Sequence, residues 1–305
     1  MTRLPSRLQP GDRVRFVSPS SRPDRALVTR GAELLASWGL EVELGRHVFD
    51  QDGYRAGTDE HRLADLDEAF RDPGVRAIFA TSGGKGAFRI SQRIDFDAVR
   101  RDPKPLVGYS DVTALHLALW NACGVSAIHG PLVSWRDHYG PDCADTLRSA
   151  LMTTAGIVIR QQPDEPTAAL TTGDTATGTL IGGNLAALAY GVGSDLKGLD
   201  GGILLIEANN IGDGIGQVDR QLTQLIKSGV LRGLRGVAVG QVLGFDDLDG
   251  WSVIDVLRDR LGELAVPVLG GLPVGHGPQP ATVPLGTTAT IDPRAGVLTV
   301  GPAVR

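Results

Sequence analysis

Residues 105–120 read PLVGYSDVTALHLALW, and a change of rhythm inside this stretch decides the fold. Pro105 to Tyr109 is a short apolar run of buried-strand length, and Asp111 to about Trp120 reads as the helix behind it, with a polar Ser-Asp pair at the junction. A second short strand is expected at Ser126 to His129. Upstream the alternation repeats. Val14 to Ser18 reads as a strand, followed by a helix with Leu27, Leu34, Leu35 and Trp38 on one face and Gly39 at its end. Thr58 is a plausible N-cap, and Asp59 and Glu60 suit the positive end of a helix dipole. Leu63, Leu66 and Phe70 form the apolar stripe of that helix, which stops at Asp72-Pro73-Gly74 before strand Val75 to Ala80. Alternation of this kind implies an α/β fold, with a mostly parallel sheet flanked by helices.

The pattern dissolves between about 153 and 175, a tract rich in Thr, Pro, Gly and Asp. The reading is therefore two domains: residues 1–155, a linker at 156–175 with some strand content, and a smaller α/β domain over 176–305. Strands are expected in the second half at Gly178 to Ile181, Ile203 to Glu207 and Gly236 to Val242. Helices are expected near Gly216 to Lys227 and Trp251 to Leu264, with a terminal hairpin around Pro293 and Gly296. A length of 305 residues suits two domains of ordinary size.

Composition narrows the function. Thirty Lys+Arg against 35 Asp+Glu gives a net charge of −5, which offers no broad footprint for nucleic acid. Two cysteines, Cys123 and Cys143, are too few for a disulfide scaffold or a thiolate metal site and suit a reducing compartment. No apolar run approaches the ~20 residues that span a bilayer, and the N-terminus lacks a signal-peptide stretch. A soluble, cytoplasmic protein without membrane partners is expected. The 41 glycines, roughly twice average usage, suggest many tight turns.

In an open α/β sheet, ligands bind at the C-terminal strand edge, where Ser110 would stand. It reads either as a helix N-cap or as a nucleophile, with the Asp111 N–H on the first helical turn available to an oxyanion. The motif Gly108-x-Ser110-x-Val112 resembles a nucleophile elbow but lacks its second glycine. Ser82-Gly83-Gly84-Lys85-Gly86, after the strand at 75–80, reads as a plain turn, a phosphate cradle or a source of a second oxyanion donor such as the Gly84 N–H. Its spacing is not that of a P-loop.

A nucleophilic serine needs a base, and the base an orienting acid. Among six histidines, His47, His61 and His138 lie in polar segments, His116 lies inside an apolar helix, and His129 ends a strand. His276, in the loop Gly275-His276-Gly277-Pro278, could project into a cleft. Glu207 closes the apolar run 202–206 and would suit an imidazole partner, because a buried carboxylate is costly unless paired. Asp213 and Asp219 are rival acids better suited to capping or salt bridges. No His/Cys/Asp/Glu spacing suggests a metal site, so neither metal nor cofactor is expected.

With Ser110, Glu207 and His276 in hand, the chain resembles the muramoyl-tetrapeptide LD-carboxypeptidase family, serine peptidases that include a microcin-immunity branch. The resemblance is carried by LQPGDRVRFVSPSS (8–21), AGTDEHRLADLDEAFRDPGVRAIFATSGGKGA (56–87), KPLVGYSDVTALHLAL (104–119), HGP (129–131), GGNLAALAYGVGS (182–194), LLIEANNIGDGIGQVDRQLTQL (204–225) and GLPVGHGPQPATVPLG (271–286). It implies Ser110 as nucleophile, His276 as general base then acid, and Glu207 as its orienting carboxylate. The N–H groups of Asp111 and Gly84 would form the oxyanion hole. It further implies hydrolysis of the bond between diaminopimelate and terminal D-alanine in murein tetrapeptides, and a homodimer.

Ser82, Gly83, Lys85 and Asn184 are candidate substrate contacts, Lys85 for the terminal carboxylate. Lys85 stands where the carboxypeptidases commonly have Tyr, and Ala208 where they commonly have Asp. The alternatives are a microcin-immunity-type peptidase that cleaves aminoacyl-nucleotide amides, and a non-catalytic muropeptide- or nucleotide-binding protein.

Overall fold

The structure is a computed structural model that describes every residue except Met1, His138 and Ile211. Among the described residues the strands are β1 (Arg13–Val17), β2 (Glu41–Leu44), β3 (Val75–Ala80), β4 (Leu106–Gly108), β5 (Ala127–His129), β6 (Ile157–Arg160), β7 (Ala176–Asn184), β8 (Gly202–Asn209), β9 (Gly236–Leu243), β10 (Val268–Leu269), β11 (Val283–Leu285), β12 (Thr288–Asp292) and β13 (Val297–Val300). They form two sheets, ordered β11-β5-β4-β3-β1-β2 and β10-β9-β8-β7-β12-β13-β6.

In the first sheet β1 to β5 run parallel and only β11 is antiparallel. The crossovers are the helices Arg25–Ser37, Asp59–Arg71 and Thr113–Cys123, with the short helices Ala87–Ile90 and Phe96–Arg101 between β3 and β4. Thr58 caps the second of these, its hydroxyl accepting from the His61 N–H at 3.2 Å, as its position before two acidic residues implies. In the second sheet β7 to β10 are parallel, whereas β12, β13 and β6 add an antiparallel edge. The expected terminal hairpin is β12–β13.

The boundary between the two halves is more interwoven than the expected 1–155 and 176–305 units with a linker at 156–175. β6 lies inside that linker tract and pairs with β13, alternating buried Ile157 and Ile159 with exposed Val158 and Arg160. Conversely, Val283–Leu285 leaves the C-terminal half to close the edge of the first sheet against β5. One apolar cluster runs through both sheets, joining Phe16, Val107 and Ile128 to Leu180, Leu205 and Val283. Burial of that shared surface opposes separation of the halves. It brings β4 and β8 to one cleft. Among the described residues, no helix is long and apolar enough to cross a membrane.

Candidate active site

Ser110 stands where β4 gives way to a helix. Tyr109 is extended, Ser110 has φ +64°, and a 3₁₀ turn over Ser110–Val112 leads into the helix Thr113–Cys123. A non-glycine residue in the left-handed region is strained, and this sharp reversal lifts the hydroxyl out of the sheet. The elbow manages without its second glycine because Val112 packs onto Gly108. A Cβ at Gly108 would meet Val112 Cγ1 at 2.9 Å, so one glycine supplies the close approach. Gly83 serves likewise, since a Cβ there would stand 2.9 Å from Ser110 Cβ.

Glu207 lies on β8 opposite Asn184 of β7, where the pairing of β8 with β9 shifts register between Ile206 and Ala208. Such an irregularity re-aims a side chain. The carboxylate is fully buried. His276 lies in the loop after β10, which β9 holds through two hydrogen bonds at Gln241. The Gln241 N–H donates to the Val274 carbonyl at 2.8 Å, and the Gly277 N–H donates to Gln241 Oε1 at 2.8 Å.

The three side chains meet in a row. His276 Nε2 is 3.1 Å from Ser110 Oγ, and His276 Nδ1 is 2.7 Å from Glu207 Oε2. Tyr109 and the imidazole meet in an edge-on contact, with ring centroids 4.7 Å apart and planes 66° from parallel. Burial raises the pKa of Tyr109. His129, buried beside the Tyr109 ring, has its pKa lowered to about 4 by desolvation and is therefore neutral near pH 7. His116 is also buried and desolvated, to a pKa of about 3.

Ser110 and His276 border a cleft of about 870 Å³. Ser82, Gly83, Gly84, Lys85, Asp111, Asn184 and Asp213 line it as well. Gly84 has φ +118°, and a Cβ there would run into Ser21 Oγ at 2.0 Å, so only glycine fits that turn. The Asp111 carboxylate accepts from the Ser20 hydroxyl at 2.7 Å and the Ala87 N–H at 2.8 Å, which ties the 82–87 loop to the elbow. Burial raises its pKa.

Lys85 is exposed at the rim. Asn184 is first a capping residue: its Oδ1 accepts from the Ala187 N–H and its own N–H donates to Thr113 Oγ1 at 3.1 Å. Asp219 lies on the helix Ile215–Ser228, facing Thr223 and Arg260, away from the row. His47 and His61 meet each other instead, and His138 lies outside the described residues. Gln241 escaped the sequence reading. Its signal is a lone amide within the otherwise apolar and glycine run of β9, GVAVGQVL.

A hydroxyl, an imidazole and a buried carboxylate in one hydrogen-bonded row, at the C-terminal edges of two α/β sheets, make an arrangement of the kind serine hydrolases use. The chain belongs to the LD-carboxypeptidase family. Residues 14–130 match the LD-carboxypeptidase N-terminal domain and residues 177–291 its C-terminal domain. Among its relatives, the murein tetrapeptide carboxypeptidase of Pseudomonas aeruginosa is 32% identical over 93% of this chain and 94% of that protein. The Microcin C7 self-immunity protein MccF of Escherichia coli is 27% identical over 95% and 93%. A crystal structure of muramoyltetrapeptide carboxypeptidase from Oxalobacter formigenes superposes with a TM-score of 0.81 at 26% identity, covering 96% of this chain and 100% of that one.

Proposed function

We propose that this chain is a metal-independent serine carboxypeptidase that hydrolyses the L,D-peptide bond before the terminal D-alanine of murein tetrapeptides. The observation that carries the reading is the row Ser110 Oγ to His276 Nε2 at 3.1 Å and His276 Nδ1 to Glu207 Oε2 at 2.7 Å, in a chain of this family. Ser110 attacks the carbonyl ahead of D-alanine while His276 Nε2 takes its proton. Glu207 fixes the tautomer and stabilises the imidazolium. The N–H groups of Gly84 and Asp111, both lining the cleft beside the hydroxyl, receive the developing oxyanion. His276 then protonates the leaving amine, and water clears the acyl-enzyme by the same route in reverse.

Specificity for a chain end requires a partner for a free carboxylate, and Lys85 at the cleft rim is the candidate. The same reading includes a cytoplasmic location, a homodimer and murein recycling as the role. The test is incubation with a murein tetrapeptide and mass spectrometry for tripeptide plus D-alanine, beside an aminoacyl-nucleotide amide. Tripeptide formation by the wild type and none by Ser110→Ala supports the reading. Cleavage of the nucleotide substrate alone favours the microcin-immunity alternative. Binding without product favours a non-catalytic protein.

A further inference from the structure

Far from the catalytic row along the chain, a second group of side chains converges. Asp50 Oδ2 lies 2.8 Å from His47 Nδ1 and 2.8 Å from His61 Nδ1. The two imidazoles stack, with centroids 4.0 Å apart and planes 19° from parallel. The three donor atoms all lie within 4.8 Å of one another, and each side chain remains partly accessible, at 21%, 39% and 45% for His47, Asp50 and His61.

The backbone holds all three in place. The His47 N–H donates to Asp65 Oδ2 at 2.8 Å, and the Asp50 N–H closes a turn onto the His47 carbonyl at 3.0 Å. His61 is fixed on the first turn of the helix Asp59–Arg71 by the Thr58 cap. Gly57, at φ +79°, permits the approach, because a Cβ there would stand 2.9 Å from Asp50 Cβ and 3.4 Å from His61 Cβ. Arg25 over the Phe49 ring, 3.8 Å from its centroid, pins the loop between.

We propose that His47 Nδ1, His61 Nδ1 and Asp50 Oδ2 form a binding site for one first-row divalent transition cation of the zinc type, with water completing its coordination. Two imidazole nitrogens and a carboxylate are the donor set that zinc takes in open sites. Bonds of 2.0–2.1 Å in a tetrahedron would set the donors roughly 3.4 Å apart. The Asp50 oxygen lies 2.8 Å from each nitrogen and the two nitrogens lie within 4.8 Å of each other, so small side-chain shifts bring the three to that spacing. Without metal, both Nδ1–H groups donate to Asp50, which lowers the pKa of its carboxyl, with the bond from His47 as the largest contribution. Binding transfers each ring proton to Nε2, which leaves Nδ1 as the ligand lone pair.

The nitrogen donors select against magnesium and calcium, which prefer all-oxygen shells. The site also closes the loop carrying Tyr54, whose ring lines the catalytic cleft. It contributes no atom to the Ser110 row, so its test is independent of substrate. This site runs against the sequence expectation of no metal, because ligands three and eleven residues from Asp50 match no familiar spacing.

The experiment is isothermal titration calorimetry of the untagged, EDTA-treated and dialysed protein with ZnCl₂ at pH 7.5, repeated with MgCl₂. Asp50→Asn and His61→Ala are titrated beside it, after their thermal midpoints show that both are folded. The expected result is one zinc per chain with a micromolar dissociation constant, at least thirtyfold weaker in each variant, and no heat with magnesium. Zinc should raise the thermal midpoint of the wild type and leave those of the variants unmoved. Absence of saturable zinc binding by the wild type would overturn the proposal, as would equal affinity in the wild type and both variants.

Discussion

Gly275 lies so close against Glu207 that a Cβ at position 275 would stand 2.9 Å from the Oε2 atom that His276 engages. The backbone there has φ +127°, which side-chain-bearing residues avoid. The residue before the imidazole thus sets the distance between the imidazole and its acid.

Gly275→Ala should therefore act on both stability and chemistry. Strain of this kind costs about 1–3 kcal/mol, so the thermal midpoint should fall. Displacement of either partner should lower kcat at least tenfold, with a smaller change in KM, because the substrate contacts lie elsewhere in the cleft. Steady-state kinetics on a murein tetrapeptide checks this, and an unchanged kcat would show that the loop does not position the imidazole.

Ser110 carries a cost of its own. At φ +64° a side chain crowds its own carbonyl, and Ala suffers this as Ser does, while Gly does not. Both Ser110→Ala and Ser110→Gly should lose turnover by at least a thousandfold. Ser110→Gly should be the more stable of the two by about 1 kcal/mol, the reverse of their order within a helix. Denaturant unfolding of the pair measures it, and a more stable Ala variant would contradict an elbow conformation at this position.

Much of this architecture is legible in the chain because its periodicities are local. The strand at 75–80 and the Thr58 cap come straight from apolar rhythm and capping chemistry. Ser110, Glu207 and His276 stand out because each is polar at the end of an apolar run or between glycines, even though 166 residues separate the first from the last. What stays hidden depends on long-range pairing. Val283–Leu285, with Pro284 inside it, reads as part of a terminal hairpin, yet it crosses to the other sheet and lies against β5. Pro284 is tolerated because β11 is an edge strand. Likewise, His47 and His61 read as separate polar residues, since nothing local shows that the turn at 53–57 folds them onto Asp50.

Acid should destabilise the fold through its two buried histidines. His116 and His129 have folded pKa values of about 3 and about 4 against an ordinary 6.5, both depressed first of all by burial. Between pH 6.5 and about 4 the unfolded chain takes up protons that the folded chain refuses, so stability falls as pH falls across that window. For His129 alone this amounts to roughly 3 kcal/mol. Burial raises the pKa of Asp65 and Asp111, which acts in the opposite sense, so the variant comparison isolates the histidine. His116→Leu should flatten the fall in urea-unfolding free energy between pH 6.5 and 4.5. An unaltered slope would mean that His116 is protonated in the folded state.

Glu207→Gln separates charge from shape. The carboxylate is fully buried, and its Oε1 has no hydrogen-bond partner among the described residues. The imidazole is therefore the one partner seen for a charge held out of water, a costly arrangement. A neutral amide of the same size removes that cost, so the thermal midpoint should hold or rise. Chemistry should suffer instead, because the amide NH₂ can donate to His276 Nδ1 and hold the proton on Nε2, the tautomer that cannot accept from Ser110. A loss in kcat of about 10²–10⁴-fold is expected, by comparison with the effect of the wrong tautomer in serine proteases, with KM little changed. Kinetics and thermal unfolding of the same preparation test both halves. If kcat survives the substitution, Glu207 is a structural acid and the imidazole must be oriented by its loop and Tyr109 alone.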